Sequence, residues 1–154
     1  HIHVDYHEQS YNNPYYFAPA VEPYHELITP WQREFQNIIG NNNAKYFDEH
    51  LSVVPQITIP LRSPEAKQVF HIYVIRVEKR DELQQFLMKH GIDAKIHYPV
   101  PMHLQPAAKG YGYKEGDFPV SEAICKSVIS LPVHEFITQE QLDYVVDRVK
   151  HFYQ

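Results

Sequence analysis

The sequence predicts an α+β fold, a small sheet packed with helices, on three observations. Apolar residues alternate over short stretches, most clearly over residues 69–77, as half-buried or buried strands do. Other stretches carry apolar residues at helical spacing, and their starts and stops are marked by capping residues, prolines and a glycine. The links between them are short, giving the order β-β-α-β-α-β-α, which buries its apolar faces as a sheet with helices laid on it.

The elements follow in order. Residues 1–27 read as an extended arm, in which His1 to His7 alternate and a Pro- and Asn-rich run follows. The folded domain is expected over 28–154. Thr29, Pro30 and Gln32 spell a helix start, and Trp31, Phe35, Ile38 and Ile39 recur at helical spacing. Gly40 to Asn43 interrupt that pattern, so a break is expected there before Tyr46, Phe47 and Leu51 resume it. Residues 56–61 and 69–77 read as strands; in the second, Tyr73, Ile75 and Val77 share a face with Val69 and His71, and both faces look largely buried. A helix capped near Asp81 carries Leu83, Phe86, Leu87 and His90 and stops at Gly91. A short strand is expected over 92–98. After a Pro- and Gly-rich loop, Pro119 opens a helix whose inner face is read as Ala123, Ile124 and Val128, and residues 128–133 give a further strand. Thr138 with Gln141 makes a capping box for a last helix bearing Leu142, Val145, Val146 and Val149.

Composition narrows the function. At 154 residues the chain fits one domain, or one domain with an extension. It is 44% hydrophobic and 21% charged, ordinary for a globular protein, with 12 Tyr and 8 Phe for cores and contact surfaces. The formal net charge of −5 provides no positive field for a polyanion, so nucleic acid is not an expected partner. The lone cysteine, Cys125, excludes an internal disulfide framework and is read as a small buried residue on a helix. No apolar run approaches the ~20 residues of a bilayer span, and no basic-then-apolar leader opens the sequence, so no membrane is expected and a cytoplasmic location is.

The most informative segment is KIHYPVPMHLQPA, residues 95–107. A strand ends in His97 and Tyr98, Pro99 and Pro101 stiffen the turn, and His103 and Gln105 follow. Proline fixes its own φ and restricts the residue before it, so this loop presents polar side chains with little freedom, as a binding site requires. Ordered structural loops use the same residue types, and from composition alone that reading stays open.

This string resembles the small-domain loop of the DegT/StrS family of sugar aminotransferases. Further landmarks stand in the family's order: NAKYFDEHL at 43–51, HIYVIRVEKRDELQQFLMKHGI at 71–92, GYGYKEGDFPVSEA at 110–123, SLPVH at 130–134 and TQEQLDYVVDRV at 138–149. The resemblance implies the C-terminal domain of a homodimeric fold-type I enzyme that uses pyridoxal phosphate (PLP) to pass an amino group from glutamate to a nucleotide-linked keto sugar. Its His-Tyr-Pro-x-Pro-x-His-Leu-Gln form is similar to members acting on 3-keto sugars, in surface-polysaccharide or deoxyaminosugar biosynthesis. It also implies that His97 and Tyr98 lie near the sugar or its phosphates, with His103 and Gln105 reaching the ligand or supporting the loop.

The sequence departs from the family in one large respect. The large domain, which holds the Schiff-base lysine and the aspartate facing the pyridine nitrogen, has no counterpart in residues 1–27, and an arginine usual before the NAKYFDEHL stretch is replaced within Gly40 to Asn43. No lysine reads as desolvated: Lys45, Lys67, Lys79 and Lys89 have polar neighbours, and Lys95 lies nearest the motif. The expectation is a chain that binds no PLP alone and is inactive without its large domain. Two other classes compete. A non-catalytic interaction or dimerisation module would use the aromatic arm at Tyr11, Tyr15, Tyr16 and Phe17. A metal-binding domain would use His1, His3 and His7, which a strand aligns with Asp5, although that spacing is no specific zinc signature.

Overall fold

A computed structural model describes residues 34, 42–62, 70, 72–134 and 136–154. The expected arm, the helix start at Thr29 and the break near Gly40 lie outside them. The first described helix, α1 (Lys45–Leu51), buries Phe47 and Leu51, as the resumed helical spacing requires. Beside it, Asn43 is buried and donates from its amide to the His134 carbonyl at 2.9 Å.

Three strands form one antiparallel sheet in the order β1 (Ile57–Thr58), β2 (Tyr73–Val77), β3 (Val128–Leu131). Ile57 pairs with Val77, and Tyr73 and Ile75 pair with Leu131 and Ile129. Both expected first strands are shorter than their apolar runs. Pro60 has no N–H for a ladder beyond β1. On β2 the backbone at Phe70 has φ +47, outside the extended region, so the strand cannot run through it. Tyr73, Ile75 and Val77 are buried as expected, whereas the other face is open, with Val74 half-buried and Arg76 exposed. Pro132 ends β3 before Val133.

Helix α2 (Arg80–Lys89) starts two residues earlier than a cap at Asp81 implies. Its cap residue is Lys79 in the left-handed region, φ +49, with no side-chain cap, while Asp81 pairs with Arg80 at 2.6 Å. The stop is as expected: Gly91 takes φ +76, its N–H donates to the Met88 carbonyl, and the Ile92 N–H reaches the Leu87 carbonyl at 3.0 Å. That stop explains why the expected strand over 92–98 shrinks to one bridge at Lys95. The Ile92 N–H is committed to the helix end and the Ala94 N–H to the Ile92 carbonyl, so neither joins a ladder.

Helix α3 (Pro119–Ser127) begins on its proline as expected. Its inward side chain is Glu122; Ala123 and Ile124 are exposed, and Cys125 is half-buried rather than buried. The final helix, α4 (Gln139–Phe152), has both halves of the capping box, Gln141 N–H to Thr138 Oγ1 at 3.2 Å and Thr138 N–H to Gln141 Oε1 at 2.9 Å.

The core lies between the sheet and helices α1, α2 and α4. Phe47, Leu51, Tyr73, Ile75, Leu83, Leu87, Ile129 and Val149 have essentially no exposed surface. Polar groups at its rim are paired. Tyr73 donates its hydroxyl to Asp48 at 2.7 Å, and Arg62 grips the same carboxylate through Nη2 at 2.8 Å and Nε at 3.1 Å. Burial first, and then the Asp48 carboxylate, pushes the Tyr73 hydroxyl far above the ordinary tyrosine range. Tyr46 donates to Asp143, joining α1 to α4. Among the described residues, no helix is long and apolar enough to cross a membrane.

Two outcomes follow from this packing. Leu87→Ala leaves a cavity and is expected to cost about 2–5 kcal/mol, against about 1 kcal/mol for Thr138→Ala, which removes a cap; both are read from denaturation midpoints at unchanged m-value. The Asp143 carboxyl is held below its ordinary range by the Tyr46 hydroxyl and then by the Gln139 amide. A depressed carboxyl contributes stability above its unfolded pKa and loses it as pH falls through the folded value. Asp143→Asn should therefore give a shallower acid limb in a stability–pH titration.

Candidate functional site

Alternation along β2 and β3 sets the site apart from the core. Tyr73, Ile75, Ile129 and Leu131 face the core, so Val74, Arg76, Val128 and Ser130 occupy the opposite face. Helix α3 packs against β2 and contributes no side chain to the core cluster. On this second face the 95–118 segment is tied down at two places.

The first tie is Ser130, a buried residue that makes three hydrogen bonds to the entering chain. Its N–H donates to the Lys95 carbonyl at 2.8 Å, its carbonyl accepts from the Lys95 N–H at 3.0 Å, and its Oγ lies 2.9 Å from His97 Nδ1. With Nδ1 committed, Nε2 is the imidazole nitrogen left to meet a ligand. Tyr98 follows immediately through a cis peptide, its ring edge-on to His97 at 5.6 Å between centroids and 63% exposed. The two side chains offer an imidazole nitrogen, a phenol hydroxyl and an aromatic edge at one place.

The second tie is Glu122, in the first turn of α3. Its carboxylate accepts from the Gly116 N–H at 2.9 and 3.1 Å, from the Phe118 N–H at 3.3 Å, and lies 3.0 Å from His103 Nε2. Burial acts to raise the carboxyl's pKa, but the bonds from Gly116, His103 and Phe118 together outweigh it and hold the group below its ordinary range. Both side chains of the His103 and Glu122 pair are more than nine-tenths buried. Phe118 and Tyr113 wall it, their rings 4.8 and 6.5 Å from the imidazole.

The four residues singled out by the motif thus fall into two pairs. His97 and Tyr98 sit together at the surface. His103 and Gln105 turn into their own loop, His103 onto Glu122 and Gln105 onto the Val100 carbonyl at 3.3 Å. Sequence reading did not single out Ser130 or Glu122, although both stand in segments it marked, SLPVH and GYGYKEGDFPVSEA. The signal for Glu122 was an acid in the first turn of a proline-started helix, next to a glycine-bearing loop with N–H groups to satisfy.

A model of the DegT/DnrJ/EryC1/StrS aminotransferase family matches residues 35–150. The chain belongs to this family. The erythromycin biosynthesis sensory transduction protein EryC1 of Saccharopolyspora erythraea is 39% identical over 107 residues, 70% of this chain and 29% of that protein. A dTDP-3-amino-3,4,6-trideoxy-alpha-D-glucose transaminase of Streptomyces venezuelae is 38% identical over 102 residues, 66% of this chain and 27% of that enzyme. The crystal structure of S. venezuelae DesV in complex with a ketimine intermediate superposes with a TM-score of 0.75 at 32% identity, covering 80% of this chain and 33% of DesV. The chain thus spans about a third or less of the family members it matches.

Members of this family are PLP-dependent, and the residues described here do not by themselves make a seat for that cofactor. Lys45, Lys79, Lys89, Lys95, Lys109, Lys114 and Lys126 are exposed and Lys150 half-buried, so among the described residues no amine is desolvated to the degree a Schiff-base lysine needs. Of the loop glycines, Gly116 commits its N–H to Glu122 rather than to a phosphate. Among the described residues no three His, Cys, Asp or Glu side chains gather as metal ligands; His1, His3 and His7 lie outside the described residues.

Ser130→Ala should shift the ring ¹⁵N resonances of His97 while the Lys95 and Ser130 amides keep their exchange protection. Unmoved His97 shifts would show that the hydroxyl does not set the imidazole's tautomer.

Proposed function

We propose that the chain is the C-terminal part of a PLP-dependent aminotransferase that passes an amino group from glutamate to a nucleotide-linked keto sugar. A 3-keto sugar is the preferred substrate, and surface-polysaccharide or deoxyaminosugar biosynthesis the setting. The parent enzyme acts as a cytoplasmic homodimer. The observation that carries this reading is the paired presentation of His97 and Tyr98 on a loop fixed to the sheet, in a chain of sugar-aminotransferase lineage. The names of its relatives, among them a dTDP-amino-sugar transaminase, support the substrate class.

The cofactor supplies the electron sink when bound, and its anchoring lysine comes from outside the described residues. This chain's part is recognition. His97 Nε2 and the Tyr98 hydroxyl hydrogen-bond sugar hydroxyls or phosphate oxygens, and the Tyr98 ring packs on the sugar or base. Ser130 fixes the imidazole and Pro99 and Pro101 limit the backbone, so little ordering entropy remains to be lost on binding. His103 and Gln105 support the loop.

The exposed apolar side chains Val100, Met102, Tyr111 and Val120 favour one further reading, a non-catalytic module that docks on another protein. Kinetics on the whole protein separate the two. His97→Ala and Tyr98→Phe are expected to reduce kcat/KM for the nucleotide sugar by about tenfold or more while the half-reaction with glutamate stays within about twofold. Equal loss in both half-reactions would remove these residues from sugar recognition, and absence of any transamination by the whole protein would leave the docking module.

A further inference from the structure

We propose that Glu122 is a positioning residue for the sugar-facing loop, acting as a latch that fastens His103 at the start of the loop and the Gly116 and Phe118 N–H groups at its end to one buried carboxylate. This rests on the reading of His97 and Tyr98 as substrate contacts and gives the loop-supporting role of His103 its partner.

The geometry supports a latch over an incidental ion pair. A carboxylate taken out of water is retained only where donors replace its hydration, and Glu122 has three, one imidazole and two backbone N–H groups. They come from residues 103, 116 and 118, so one side chain closes a loop of more than a dozen residues whose own side chains are largely exposed. Gly116 reaches the carboxylate with φ +94, a conformation that any residue with a Cβ adopts only under strain. Two short helical turns, Met102–Leu104 and Pro106–Tyr111, fill the span, and Gly112 reverses the chain after them at φ +77. Without the latch these turns have local hydrogen bonds but little buried apolar surface, the condition under which a segment opens locally while the domain stays folded. His97 and Tyr98 enter the same loop, and their direction is set by Ser130 behind them and by the latched loop ahead.

The latch is tested by native-state trypsin cleavage after Lys109, an exposed lysine inside the loop, with Lys89 and Lys150 in helices reporting global unfolding. Glu122→Ala is expected to raise cleavage after Lys109 by about tenfold or more at unchanged helix cleavage, and Glu122→Gln, which keeps an acceptor oxygen, to stay within about threefold of the parent. His103→Ala should fall between them, and His103→Gln, which restores a donor, should recover protection. If Glu122→Ala cuts at all three sites together, the His103 pair decides. Unchanged cleavage after Lys109 in His103→Ala and in every folded Glu122 variant overturns the latch. In the whole aminotransferase, His103→Ala should raise KM for the nucleotide sugar with kcat near the parent value, and His103→Gln should restore it; equal loss in kcat with no change in KM overturns the positioning role. Loop opening without any transaminase activity in the parent protein would overturn the enzymatic reading and leave the latch standing, so the two fail separately.

Discussion

Strand β3 has four residues and two obligations. Ile129 and Leu131 complete the core against Tyr73 and Ile75, while Ser130 holds Lys95 and His97 on the other face. Because side chains alternate with a period of two, these obligations share one register: moving β3 by a single residue would send Ser130 into the core and Ile129 under the loop. The core side chains that make such a slip costly therefore also fix the direction of His97. Core packing and site geometry are one constraint read from two sides.

Charge burial imposes the second level of order. Asp48, Glu122 and Arg80, each half-buried or buried, draw different stretches of chain toward themselves. Asp48 collects Arg62 and Tyr73, Glu122 collects His103, Gly116 and Phe118, and Arg80 reaches the carbonyls of Cys125 and Val128 at 3.0 and 3.4 Å. Each cluster includes a partner more than a dozen residues away, Arg62 and Tyr73 for Asp48, His103 for Glu122 and Cys125 and Val128 for Arg80, and an unmet partner would strand a charge in a poorly hydrated place. Apolar packing accounts for the sheet and helices; these polar clusters account for how the irregular segments lie on them.

How much of this was legible from the sequence depended on whether the governing interaction was local. The capping box at Thr138, the proline start at Pro119 and the glycine stop at Gly91 are each decided within a few residues, and the structure has all three. The face of β2 and the apolar stripe of α4 follow from simple periodicity. Residues 92–98 look like a strand by the same periodicity, yet the helix stop takes the Ile92 N–H and a local turn the Ala94 N–H, a competition that periodicity does not register. On α3 apolar content points to Ala123 and Ile124 as the inner face, whereas the N–H groups of the preceding loop and the remote His103 draw Glu122 inward. For His103 and Gln105 the sequence leaves two roles open, loop support and ligand contact, because only three-dimensional contacts such as His103 to Glu122 distinguish a side chain that faces the loop from one that faces outward.

Arg80 carries a consequence for the domain's mechanics. Its guanidinium sits at the end of α3 while its backbone opens α2, so the helix beneath the loop and the helix within the core are coupled through one rigid, multiply bonded group. Pulling the end of α3 away from the sheet would strip a buried guanidinium of its carbonyl partners, so the outer helix cannot slide without disturbing the first turn of α2.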